Sequence, residues 1–146
     1  RDVTHEAQCS VLVVKGRGRA RGRLLIGLDG SARSRRAVAF VSRLSPPRGG
    51  RLTLLAVVEP TSSRAMGRLR GSVRAVLAAE LSGLDRERTT RARRELSRAS
   101  RRLRRAGWAV DNVVRRGIPL SELLRAASTR RSDVTVVGAR ATTRRR

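Results

Sequence analysis

The chain has 146 residues, room for one domain with a sizeable core and too few for two. Its formal net charge is +24, carried by 35 basic residues, all arginine except Lys15, against 11 acidic ones. No apolar run approaches the roughly 20 residues that span a bilayer, no continuous apolar signal region is visible at the N-terminus, and the single Cys9 excludes an internal disulfide, so a cytoplasmic setting is expected. Phe40 and Trp108 are the only aromatic residues, so the core must be leucine, valine and alanine. A charge this large fits either a surface selected for polyanions such as nucleic acid or arginine drift in a GC-rich coding sequence. The spread of arginine through every segment favours drift.

Residues 1–8 are polar and carry no structural signal. Val11–Val14 is a short apolar run expected to be a strand. Lys15 to Gly22, with three glycines and four positive charges, reads as a flexible linker. It has no aromatic residue to stack on a base, so a solvated tether is favoured over a nucleic-acid-binding arm. His5 and Cys9 have i,i+4 spacing, but two ligands do not make a zinc site. A tail residue and a small buried thiol explain them better.

Leu24–Leu28 is apolar without alternation, the pattern of a strand buried on both faces of a parallel sheet. It runs into Asp29-Gly30-Ser31, turn chemistry, and then into a helical period in which Ser31 or Ser34 can cap the N-terminus. Ala37, Val41 and Leu44 mark the buried face of that helix, widened by Val38 and Phe40. Pro46-Pro47 stops it. Leu52–Val58 is the second strand, ended by Glu59-Pro60. Residues 61–72 read as a loop. A long helical region follows, with Val73, Leu77, Leu81 and Leu84 on one stripe. A break is expected near Gly83, and Ala92, Leu96, Ala99, Leu103 and Ala106 continue the stripe. Its other faces are nearly all arginine.

Gly107 ends this helix, and Ala109–Val114 is a third strand. Gly117-Ile118-Pro119 opens a further helix with Pro119 at its first position. Leu120, Leu123, Leu124 and Ala127 are its expected buried face, and Glu122 suits its positive end. Ser132-Asp133 precedes Val134–Val137, a fourth strand, followed by Gly138. Strands alternating with helices predict an α/β fold with a doubly wound parallel sheet of four core strands. Right-handed crossovers place helices on both faces. Ligands of such sheets bind outside the carboxyl ends of the strands, where Asp29, Gly30 and Ser31 fall. The fourth strand looks buried and needs a neighbour, and Val11–Val14 is the spare apolar strand.

Taken together, Leu24–Ser31, Leu52–Glu59, Arg116–Leu124 and Asp133–Arg140 resemble, in order and spacing, the universal stress protein family over roughly residues 23–141. The resemblance implies a Rossmann-like fold of the adenine nucleotide alpha hydrolase type, dimers through the last strand and, in one subgroup, ATP binding. Residues 5–14 look like the last strand of a preceding family domain. The implied organisation is a tandem protein: residues 1–22 are the tail of one repeat plus linker, and residues 23–146 are a second repeat without its last helix and strand. Val11–Val14 then pairs either within the chain or with another copy, giving an intramolecular tandem partner or a homodimer.

By the same resemblance, Asp29 lies near nucleotide phosphates and metal, Val57 contacts adenine, and Gly138 and Arg140 begin a glycine-rich phosphate loop. Each has a plainer reading: Asp29 as a turn residue accepting backbone N–H bonds, Val57 as simple core. Ala141 stands where the family has a second glycine, and the chain ends before the loop's Gly-Ser or Gly-Thr pair. ATP is therefore expected to bind weakly or not at all. No nucleophile–base pair is visible, so catalysis is not expected. The competing functional readings are an arginine-rich nucleic-acid-binding module and a regulatory domain of a larger protein, such as the cytoplasmic tail of a cation/proton antiporter.

Overall fold

The computed structural model describes residues 21–60 and 71–138, with backbone alone for 71–78. The expected strand Val11–Val14, residues 61–70, the side chains of Val73 and Leu77, and Arg140 lie outside the described residues. Among the described residues seven elements alternate: β1 (Arg23–Leu28), α1 (Ala32–Val41), β2 (Arg51–Val58), α2 (Gly71–Arg105), β3 (Ala109–Arg116), α3 (Pro119–Thr129) and β4 (Val134–Val136). All strand pairings are parallel, and the sheet order is β3-β2-β1-β4. The chain thus steps outward from β1 to β3, then crosses back to the far side of β1. That reversal makes the β1/β4 boundary the topological switch point of the sheet.

The apolar runs divide by strand alternation between the two faces. Ile26, Leu28, Leu52, Leu54 and Ala56 pack with Val38 and Val41 of α1 and with Leu96 and Leu103 of α2. Leu25 and Leu55 point the other way, against Ala126, Leu123 and Ala127 of α3. Both clusters exclude water from aliphatic surface, at roughly 25 cal/mol per Å² removed. A β-carbon at Gly27 would stand 3.3 Å from Leu123 Cδ1 and 3.4 Å from Val137 Cγ1. Its absence lets α3 and the end of β4 close onto the centre of the sheet.

Asp133 fixes the start of β4 against β1. Its Oδ2 accepts from the backbone N–H groups of Arg21 and Arg23, both at 2.8 Å, and its own N–H donates to the Arg23 carbonyl at 2.8 Å. At the other end of α2, Gly107 adopts φ +90° and its N–H donates to the Arg104 carbonyl, closing the helix as expected.

Several details differ from the sequence reading: the helix expected after residue 72 already starts at Gly71, β3 runs two residues past Val114, and Leu84 is exposed. Helix α2 is continuous through Gly83, because one glycine costs a helix only about 1 kcal/mol. Phe40 and Leu44 are exposed. Helix α1 ends at Val41, so Leu44 leaves its period, and Ser34, Val38 and Val41 form the buried face. On α3, Leu120 and Leu124 are more than half exposed, and Ala126 takes the buried position. Strand β4 is three residues long, not four, only partly buried, and last in order among the described strands. No described helix is long and apolar enough to cross a membrane.

Candidate functional site

In a parallel sheet every strand points its carboxyl end to the same rim, so the turn after β1 and the segment after β4 must meet there. Cα pairing runs Leu24–Val134, Leu25–Thr135 and Ile26–Val136, which brings Asp29 and Gly138 to one end of neighbouring strands. The approach is closer than register alone requires. A β-carbon built on Gly138 would lie 2.8 Å from the Arg33 carbonyl carbon, 2.8 Å from the Ser34 nitrogen and 2.9 Å from Arg33 Cβ. The chain after β4 therefore rests directly on the first turn of α1, and only a glycine fits.

The turn itself is built by short polar side chains. The Ser31 N–H donates to Asp29 Oδ1 at 2.9 Å, an Asx turn. Gly30 takes φ +76°. Ser31 is the N-cap: its Oγ accepts from the Ser34 N–H at 3.2 Å, satisfying one of the donors a helix leaves unpaired in its first turn. The Ser34 hydroxyl donates to the Ser31 carbonyl at 3.1 Å and is buried. Arg35 reaches back from α1 to donate to the Gly30 carbonyl at 2.7 Å.

Partial burial pushes the Asp29 carboxyl up. The hydrogen bond from the Ser31 N–H, together with the polar groups of the turn around it, the Ser31 and Ser34 hydroxyls among them, outweighs that and holds it below the ordinary aspartate value. Asp29 is thus ionised at neutral pH and sits beside a helix N-terminus, whose partial positive charge favours an anion.

Val57 pairs with Arg115 across β2 and β3 and, partly buried, packs against the α3-side core near the end of its strand. Arg140 lies outside the described residues. Two further contributors carried little signal in the sequence. Ser34 entered only as an alternative cap, and it instead supports Ser31. Glu95 of α2 brings its Cγ within 3.8 Å of the place a Gly30 β-carbon would occupy, through a packing of α2 on the rim that no local pattern encodes. Arg116, at the end of β3, pairs with Asp85 of α2 at 3.2 Å.

A model of the universal stress protein family matches residues 20–146. The chain belongs to the universal stress protein family. The fold agrees with solved members. The chain is similar to UspA from Lactobacillus plantarum at 18% identity and a TM-score of 0.62, over 88% of this chain and 86% of that one. It is similar to a family protein from Burkholderia pseudomallei at 22% identity and a TM-score of 0.57, over 84% and 85%. It is also similar to a universal stress protein solved in complex with cAMP, at 21% identity and a TM-score of 0.52, over 82% and 73%. No curated protein sequence matches. For this universal stress protein domain, the rim between β1 and β4 is the candidate site. It offers an ionised carboxylate and a capped helix start, with the chain at Gly138 packed against that start. Among the described residues, no group of three or more His, Cys, Asp or Glu side chains is placed to hold a metal ion.

Proposed function

We propose that this universal stress protein domain is a regulatory, non-enzymatic module that binds an adenine nucleotide weakly at the β1/β4 rim. One observation carries the reading: Gly138 lies against the first turn of α1, beside the Asp29 turn, at the point where the strand order reverses. The missing side chain lets the segment after β4 and the start of α1 converge at the strand ends, where a helix N-terminus favours an anion. The cAMP complex of a structural neighbour supports a nucleotide as the ligand class.

Weakness follows from the local donors and charge. The Ser34 N–H is already given to Ser31, and the Arg35 N–H to the Ser31 carbonyl. Asp29 is anionic and repels a phosphate unless a divalent cation lies between them, and among the described residues no group of three or more His, Cys, Asp or Glu side chains is placed to hold that cation firmly. Ala141 supplies a β-carbon where the family loop has a glycine. The non-enzymatic part rests on the same chemistry. An aspartate held ionised by hydrogen bonds is a poor general base, because a base works best with a pKa near the operating pH.

The test is an equilibrium titration with a fluorescent ATP analogue, with and without magnesium, on the wild type and Asp29→Ala. The expected result is saturable binding at a Kd of about 1 mM, near −4 kcal/mol, weakened by the substitution and by chelation of magnesium, with no phosphate release. Stoichiometric retention of ATP through gel filtration would show that the site is complete. Binding unaffected by Asp29→Ala would place the nucleotide elsewhere.

A further inference from the structure

The arginines of α2 do not point everywhere. Residues 91–105 contain eight arginines and one acidic residue, Glu95. Ala92, Leu96, Ala99 and Leu103 face the sheet. With 3.6 residues per turn, the opposite face falls on Arg94, Arg98, Arg101 and Arg105, spaced four, three and four. All four are exposed. Two open surface grooves run along this face: one is lined by Arg98, Arg101, Arg102 and Arg105, the other by Thr90, Arg93, Arg94, Ser97, Arg98 and Arg101. The fold has gathered into one stripe charges that look dispersed along the sequence.

Within the described residues little neutralises the stripe. Of the eight arginines, Arg98 alone is in an ion pair there, with Glu95 at 3.5 Å, and its side chain is 70% exposed. Arg102 donates to Ser42 Oγ at 3.0 Å and Arg104 to the Val110 carbonyl at 2.9 Å, which fixes both without removing charge. Like charges at i,i+3 and i,i+4 each cost a helix a few tenths of a kcal/mol. Such an arrangement calls for an external anion of matching length.

We propose that the outer face of α2 is a docking surface for the phosphate backbone of double-stranded nucleic acid. From Arg91 to Arg105 the helix spans about 21 Å, and a duplex carries one negative charge per about 1.7 Å of axis. A row of guanidinium groups along that length meets phosphates at every turn. Arginine suits the task, since its planar fork binds phosphate oxygens bidentately. An anionic bilayer is the poorer partner. A membrane-surface helix buries an apolar face in lipid, whereas here the apolar stripe is buried against the sheet and no exposed large hydrophobic lies among residues 91–105. Single strands are disfavoured too, because the face has no aromatic platform for unpaired bases. The surface is separate from the nucleotide rim and does not depend on it.

The experiment is fluorescence anisotropy of a 20-base-pair duplex across a salt series. It compares the wild type, a stripe variant (Arg94→Gln, Arg98→Gln, Arg101→Gln, Arg105→Gln), the same four positions as lysine, and a charge-matched control (Arg36→Gln, Arg48→Gln, Arg125→Gln, Arg131→Gln). The stripe variant is expected to bind about ten-fold or more weaker near 0.1 M salt and to lose about 3 to 4 from the slope of log K against log salt. The lysine variant keeps the slope, and the control loses less than about 1 from it. Phenylglyoxal footprinting of the wild type provides a readout that needs no variant to fold: the duplex should protect Arg94, Arg98, Arg101 and Arg105 and leave Arg125 and Arg131 reactive. Equal slope losses in stripe and control variants, or uniform protection, would overturn the proposal. So would retention on anionic vesicles with no binding to the duplex.

Discussion

A β-carbon at position 138 would enter the backbone of α1, with 2.8 Å contacts to the Arg33 carbonyl carbon and the Ser34 nitrogen. Backbone at both ends of the contact cannot swing aside as a flexible side chain would. Gly138→Ala should therefore lower stability by about 1–3 kcal/mol, the range for overpacking, read as a lower midpoint in urea with an unchanged slope. Asp29 makes the opposite kind of contribution, through an accepted hydrogen bond. Asp29→Ala should cost about 1 kcal/mol at pH 7, and Asp29→Asn less, since its amide oxygen can still accept from the Ser31 N–H. The pH dependence has a definite sign. A carboxyl whose folded pKa is depressed stabilises the protein above its unfolded pKa of about 3.9 and loses that contribution as pH falls through the folded value. The gap between wild type and Asp29→Ala, measured by thermal melts, should hold from pH 7 to about pH 4 and shrink below that. At this scale the sequence was legible where chemistry is local. Asp-Gly-Ser announces its own turn, and Ser31 its cap. The seating of Gly138 on α1 joins residues more than a hundred positions apart, and no window of sequence contains it.

Elements were readable in proportion to how fully they are buried. Strands β1 and β2, covered by helices on both faces, showed as apolar runs, broken in β2 by Thr53 alone, and were bounded to within a residue. Helix α3 misled because Leu120 and Leu124 are apolar yet face away from the sheet, while the small Ala126 makes the tight contact. Periodicity identifies an apolar stripe but not its centre. At Gly83 the sequence suggested a break, and thirty-five residues of continuous α2 overrode it. A β-carbon at that position would have nothing within 4 Å. Gly83→Ala should thus stabilise the domain by up to about 1 kcal/mol, visible as slower amide exchange in the first half of α2. Strand β4 depends on a different support. It is three residues long, and Asp133 ties its start to Arg21 and Arg23 through two backbone N–H bonds to one carboxylate oxygen. Asp133→Ala should cost about 1–3 kcal/mol and loosen β4 first. Amide exchange at Thr135 and Val136 should accelerate by more than exchange at Leu54 and Leu55 in the middle of β2. Uniform acceleration would mean that Asp133 supports the whole sheet and not its edge.

For the molecule as a whole, the net charge of +24 sets a term that no single contact reveals. The described ion pairs are few, most of them with an exposed arginine, and their N–O distances are 3.2 to 3.8 Å, so a typical one is worth about 1 kcal/mol or less. Against them stands the mutual repulsion of guanidinium groups crowded on a compact surface, most densely along residues 91–105. Unfolding spreads those charges apart and relieves the repulsion, so the compact state bears more of it than the unfolded chain. Added salt should then stabilise the domain. The Debye length falls from about 30 Å at 0.01 M to about 10 Å at 0.1 M, the range of separations between outward-facing arginines on neighbouring turns and elements. The thermal midpoint should rise steadily from 10 to 300 mM sodium chloride and flatten at higher salt, once screening is shorter than the nearest spacings. The stripe variant, with four charges removed from the densest patch, should start from a higher midpoint at 10 mM and gain less from salt. A midpoint that falls with salt would mean that the scattered ion pairs outweigh the repulsion. The arginine surface would then be in balance with its own carboxylates, and the case for an external polyanion would lose its energetic ground.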